Sequence, residues 1–166
     1  MTAQYDKSPR CVSVCVDEQE IVIGAPPEVV WHKGLHEVNT WWKANLKDGS
    51  LGVFLEPWVG GRFWQKFDED GHGVLYGTVA YLNPPKALHI VNAFGMAGAA
   101  VWTNTWRFSE VDDGTLVEYH NQIMAVMPER YMSGGYKAMT RQMLESLKRY
   151  VETGEVDEPA QGRAED

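Results

Sequence analysis

Between residues 53 and 124 apolar and polar positions mostly alternate with period two, whereas over residues 132–151 the period lengthens to that of a helix. In the second segment Met132, Tyr136, Met139, Met143, Leu147 and Tyr150 recur at spacings of 4, 3, 4, 4 and 3, with Lys137, Arg141, Glu145 and Lys148 on the opposite side. That pattern predicts one long amphipathic helix, and Gly154 suits its carboxyl-terminal stop. Upstream, the alternation predicts strands over 52–58 and 62–67 around the turn Gly60-Gly61, then 74–82, 88–94, 99–110 and 115–124. Asn83-Pro84-Pro85 ends one of these strands, since consecutive prolines donate nothing to a ladder, and Val111-Asp112-Asp113-Gly114 turns the last hairpin. Residues 20–24 alternate as a further strand, which Ala25-Pro26-Pro27 hands over to two short helices, 28–31 and 37–43, broken near Gly34. The expected fold is therefore α+β: one strand, two short helices, six antiparallel strands, and a long carboxyl-terminal helix that closes the apolar face of the curved sheet.

Length adds a bound. A chain of 166 residues suits one domain, and domains of this size bury roughly 70% of the surface that the unfolded chain exposes. The expected division is an amino-terminal extension over 1–17, a strand or an arm, a domain over 18–154, and a disordered acidic tail over 155–166. The formal net charge is −8 with no stripe of Lys or Arg, which repels phosphate backbones and argues against nucleic acid as a partner. No apolar run reaches membrane-spanning length and residues 1–10 lack the apolar centre of a signal peptide, so membrane insertion is not expected and the expected location is cytoplasmic. Cys11 and Cys15 read as two buried or half-buried thiols, too far apart along a strand to bond to each other. An exposed edge strand together with residues 11–16 leaves open pairing with a second copy into a homodimer.

Ring content is the unusual feature, with seven Trp, seven Tyr and five Phe. If the apolar alternation sets the facing, Trp102, Asn104, Trp106 and Phe108 share one side of their strand, and Val117, Tyr119, Asn121 and Ile123 one side of the next. An amide buried among rings costs about 1–3 kcal/mol unless it finds a partner, so each Asn must meet protein, water or a ligand. Soft Met beside aromatic rings suits an adaptable pocket. The candidate ligand-binding set is thus Trp42, Trp64, Trp102, Asn104, Trp106, Tyr119, Asn121, Met132, Tyr136, Met139 and Met143, receiving a small hydrophobic or aromatic molecule. The loop 95–98 is a candidate gate.

No catalytic residue is assigned, because the inward set holds only amides, phenols and rings; Tyr119, Tyr136 or a carboxylate such as Glu56 are the acids an enzyme would use. His32 and His36 beside Glu37 have a spacing that would place two imidazoles on a metal, but Gly34 weakens the helix this needs and no third ligand is evident. His89 and His120 are expected to face outward. No metal and no cofactor are called for.

The order strand, two short helices, meander and long helix resembles the helix-grip fold of the START-like (SRPBCC) superfamily. Four segments narrow the resemblance: Ala25-Pro-Pro-Glu-Val-Val-Trp31, Leu55-Glu-Pro-Trp-Val-Gly-Gly-Arg-Phe63, Gly77-Thr-Val79 leading to Pro84-Pro-Lys-Ala-Leu88, and Asp113-Gly-Thr115. Together they cover roughly residues 18–152 and are similar to the family of homologues of the activator of heat-shock protein 90 ATPase. The resemblance implies a cavity between sheet and terminal helix that binds lipids, sterols, hormones or polyketides, and that some members use for cyclisation or hydrolysis; the inward set of amides, phenols and rings favours non-catalytic binding here. It leaves two alternatives: a cyclase- or hydrolase-like enzyme acting on an aromatic or polyketide-like substrate, and a stress-response or chaperone-interacting module.

Overall fold

The chain is described by a computed structural model, which describes residues 11–42, 49–92, 99–127 and 135–156. One antiparallel sheet of seven strands organises them, in the order β1-β7-β6-β5-β4-β3-β2. The strands are β1 (Cys11–Ile23), β2 (Gly52–Leu55), β3 (Arg62–Lys66), β4 (Gly73–Asn83), β5 (Ala87–Asn92), β6 (Ala100–Val111) and β7 (Gly114–Met127). The chain enters along β1, turns through α1 (Pro27–Trp31), a π-helical turn (His32–His36) and α2 (Val38–Trp41), and ends in α3 (Gly135–Thr153). Six strands after the short helices and one before them match the count expected from the alternation.

One detail differs from the sequence pattern. β1 is continuous from Cys11 to Ile23 and pairs with β7 over that whole length, well beyond the strand 20–24 expected from the alternation. The break expected near Gly34 is a π-helical turn between α1 and α2, in which Gly34 lies buried and a β-carbon would stand in ordinary contact with Leu147 at 3.7 Å.

α3 presents Thr140, Met143, Leu144, Leu147 and Val151 to the interior. Its true buried stripe is rotated from the one read along the sequence: Met139 and Tyr150 sit on the flank, and the hydroxyl of Tyr150 donates to Glu37. The polar flank of α3 does more than meet solvent. Arg141 Nη1 and Lys148 Nζ donate to the carbonyls of Glu20 and Val22 at 3.1 and 2.6 Å, and Glu152 accepts the N–H of Gly24 at 2.7 Å. Long side chains therefore satisfy the outer edge of β1 near its carboxyl end, one way of blunting an edge strand. Gly154 closes α3 with φ +76° and its N–H on the Tyr150 carbonyl.

Candidate functional site

Alternation in β6 and β7 turns Trp102, Asn104, Trp106 and Phe108, and Val117, Tyr119, Asn121 and Ile123, to the concave face, where all are buried. Register aligns them in rows: Trp102 opposite Ile123, Asn104 opposite Asn121, Trp106 opposite Tyr119. The polar row is internally bonded. Trp102 Nε1 donates to Asn121 Oδ1, Trp106 Nε1 donates to Asn104 Oδ1 at 2.5 Å, and Asn104 Nδ2 reaches Asn121 Oδ1 at 3.4 Å. The two amides hold the two indoles at fixed angles, which is the structural pairing open to them in the sequence. One donor is left over: Nδ2 of Asn121 is fully buried and finds no acceptor among the described residues.

Between this wall and α3 lies a cavity of about 30 Å³. Trp42, Phe63, Leu88, Ile90, Trp102 and Trp106 form its sheet side and floor, with Leu35, Val38 and Trp41 from the short helices, while Tyr136, Met139, Thr140 and Met143 of α3 form the roof. Ring packing shapes it: Trp42 stands edge-on to Phe63 at 5.2 Å, Phe63 stacks towards Trp102 at 6.5 Å, and Trp106 meets Tyr119 edge-on at 4.8 Å. Gly77 makes room on β4, since a β-carbon there would lie 2.8 Å from Trp102 Cζ3. Among the described residues the lining is almost entirely apolar, with Asn104, Tyr119, Tyr136 and Thr140 as its polar groups.

Of the candidate residues, Trp42, Trp102, Asn104, Trp106, Tyr119, Tyr136, Met139 and Met143 converge on this cavity. Asn121 sits behind its wall rather than on it. Trp64 does not join them: it alternates with inward Phe63 and Gln65, so its indole turns outward, where Arg62 covers it at 4.5 Å and Phe54 lies 6.3 Å away. Met132 and the loop 95–98 lie outside the described residues. Glu56 is also away from the cavity, clasping Arg62 at 3.0 and 2.5 Å across the turn between β2 and β3, and that hydrogen bonding holds its carboxyl below the usual range. His32 and His36 stack on each other at 5.0 Å and His32 contacts Glu37 at 3.3 Å.

The sequence reading missed Asp17. This carboxylate is 1% exposed on the concave side of β1, accepts from the hydroxyl of Thr140 and from Gln19 Nε2, and stands opposite Asn121 in the β1–β7 register. Ionisable chemistry therefore lies one side chain behind the roof of the cavity. Two phenols, Tyr119 and Tyr136, are titratable groups of the lining itself. Burial pushes Tyr136 up to about 12, and burial with the Tyr136 hydroxyl alongside pushes Tyr119 well above the ordinary phenol value; the charge of Asp17 adds to both. Burial likewise raises the thiol of Cys15, which is free. The signal for Asp17 was present: Ile21 and Ile23 face inward, and Asp17 shares their odd-numbered phase.

The arrangement of strands and helices is shared with solved structures. An uncharacterised protein from Rhizobium leguminosarum superposes with a TM-score of 0.67 at 17% identity, over 87% of this chain and 98% of the other. A protein of unknown function from Staphylococcus aureus gives 0.65 at 14% identity over 86% and 96%, and Ara h 8.0201 gives 0.59 at 13% over 84% and 98%. This is the helix-grip fold. CalU16 from Micromonospora echinospora, with a TM-score of 0.54 at 16% identity over 89% of this chain and 88% of the other, shares it. At these identities the likeness extends to the fold alone. No protein-family model matches the chain, and no curated protein matches it. No helix among the described residues is long and apolar enough to cross a membrane.

Proposed function

We propose that the helix-grip domain binds a small hydrophobic or aromatic molecule between the sheet and α3, without chemistry. The observation that carries this reading is the cavity itself: apolar rings on one side, two methionines on the other, and a short polar row at one end. At about 30 Å³ the cavity as it stands holds about two waters, and sites for drug-sized ligands are roughly ten times larger or more. A guest enters by moving its roof. Met139 is 37% exposed and Met143 unbranched, so both change rotamer at low cost, and the half-buried Trp42 ring borders the same opening. The lining phenols stay neutral at pH 7 and Asp17 is screened by Thr140, which favours holding a guest over transforming it.

Trp emission during titration with flat apolar probes, together with native mass spectrometry of freshly purified protein, tests this. A saturable change in emission or a co-purifying small molecule is expected; a flat response to every probe and a bare mass would end the reading. The motif set around Leu55-Glu-Pro-Trp-Val-Gly-Gly-Arg-Phe63 supports kinship with homologues of the activator of heat-shock protein 90 ATPase, and a cytoplasmic location accords with it.

A second reading has its own observation. On the outer face, Val12 (64% exposed), Val14 (65%) and Val16 of β1 adjoin Met124 and Val126 of β7 and Val101 of β6, an apolar stripe that a solitary domain leaves wet. It supports association with a second copy through this face. Light scattering that gives a monomer mass for both wild type and Val14→Asp at micromolar concentration removes this reading.

A further inference from the structure

α3 is held unevenly along its length. Of residues 136–142 Thr140 alone is buried, whereas Met143, Leu144, Leu147 and Val151 pack into the core further along. Polar ties reinforce the carboxyl-terminal half: Lys33 Nζ donates to the carbonyls of Tyr150 and Val151 at 3.4 and 3.2 Å, Lys148 donates to that of Val22, and Glu152 accepts from Gly24. The amino-terminal half carries the roof residues Tyr136, Met139 and Thr140, and it meets β1 through a hydrogen-bonded cluster instead. There the hydroxyl of Thr140 donates to the Asp17 carboxylate, and Gln19 Nε2 shares its two hydrogens among Thr140 Oγ1 at 2.6 Å, the Lys137 carbonyl at 2.9 Å and Asp17 Oδ1 at 3.0 Å. Asp17 and Thr140 are each 1% exposed, so water does not compete for their bond, and a charged acceptor makes it one of the stronger kind. Arg141 adds a solvent-exposed bond to the Glu20 carbonyl beside the cluster.

We propose that Asp17, Gln19 and Thr140 form a latch that closes the amino-terminal half of α3 over the cavity, and that a guest enters or leaves when the latch releases and this half pivots on the anchored carboxyl-terminal half. The gating role rests on the binding reading above. A helical segment with little apolar burial opens at lower free energy than the core it adjoins, which leaves the hydrogen bonds to set how often it opens. The latch is intact with the cavity empty or filled and broken only in the open state. Weakening it therefore speeds entry and exit by the same factor and leaves affinity unchanged.

Hydrogen–deuterium exchange of the full chain at pH 7 follows the latch without any guest. Thr140→Val keeps the side-chain volume but loses the hydroxyl, and Gln19→Leu removes the amide from a half-buried position. In each variant the amides of residues 139–142 are expected to exchange at least about fivefold faster than in the wild type, with those of 147–153 within about twofold. Thr140→Ser, which keeps the hydroxyl, is expected to retain wild-type exchange. No acceleration over 139–142 in either variant, or in Gln19→Leu an even acceleration along the whole of α3, overturns the latch. Stopped-flow Trp emission with 2-ethylnaphthalene follows the gating: association and dissociation rates are expected to rise together by at least about fivefold in both variants, with Kd within about twofold. Faster exchange over 139–142 with unchanged binding rates overturns the gating role and leaves the binding reading standing. No emission change with 2-ethylnaphthalene or any other flat apolar probe overturns the binding reading and the gating role together.

Discussion

A β-carbon on Gly77 would lie 2.8 Å from Cζ3 of Trp102 and 2.5 Å from Cγ2 of Ile90. Both distances are too short for packed carbon atoms, so the Trp102 indole occupies the space that glycine leaves on β4. Gly77→Ala must therefore displace the ring or the strand, and overpacking of a close-packed interior costs about 1–3 kcal/mol. Urea denaturation is expected to show that loss with an altered Trp emission maximum; wild-type stability with unchanged emission would contradict the packing.

Asn121→Leu removes the acceptor that Trp102 Nε1 and Asn104 Nδ2 share, in a row with no solvent to replace it. Stranding buried donors costs about 1–3 kcal/mol, less whatever is gained by deleting the orphan Nδ2. A lowered thermal midpoint with retained far-ultraviolet dichroism is the expected result.

Tyrosine titration reports on the Asp17 neighbourhood. Tyr136 sits at about 12 and Tyr119 above the ordinary phenol value in the folded protein, against about 10 when unfolded. Because the folded state holds these protons more tightly, their contribution to stability is full below pH 10 and is lost as pH rises through 10 towards 12. Absorbance at 295 nm should show at least three of the seven tyrosines ionising late or only on alkaline unfolding, Tyr119 and Tyr136 through burial and Tyr150 through its hydrogen bond to Glu37. Asp17→Asn deletes one of the charges that raises Tyr119 and Tyr136, so their part of the late phase should move to lower pH.

Met143→Ala enlarges the cavity from its roof, whereas Leu147→Ala removes a fully buried side chain that does not line it. Each should destabilise the fold by about 2–5 kcal/mol. Only Met143→Ala should also raise affinity for bulkier apolar probes, measured by emission titration; equal effects on affinity would place the guest elsewhere.

Much of this molecule was legible along the chain, for identifiable reasons. Turn residues such as Gly60-Gly61 and Asp113-Gly114 mark hairpins by backbone conformation, and the inward row of β6 and β7 follows from strict alternation beside them. Trp64 was misplaced because ring content alone does not set facing: its strand alternates around Phe63, and the indole finds Arg62 outside. Asp17 was missed because β1 carries apolar residues in both phases, Val12, Val14 and Val16 outward and Ile21 and Ile23 inward. A reader who buries the valines exposes the carboxylate.

What the amino-acid order determined by itself is therefore the set of elements and their sequence: seven strands, two short helices around a tight turn, and a closing helix, since periodicity and turn chemistry are local. Which phase of β1 meets the core, how far α3 rotates to bury Thr140 in place of Met139, and that Asn121 keeps its Nδ2 unanswered among the described residues were decided only in three dimensions. Those choices depend on what lies opposite, and the partner that buries Asp17 stands 123 residues away at Thr140.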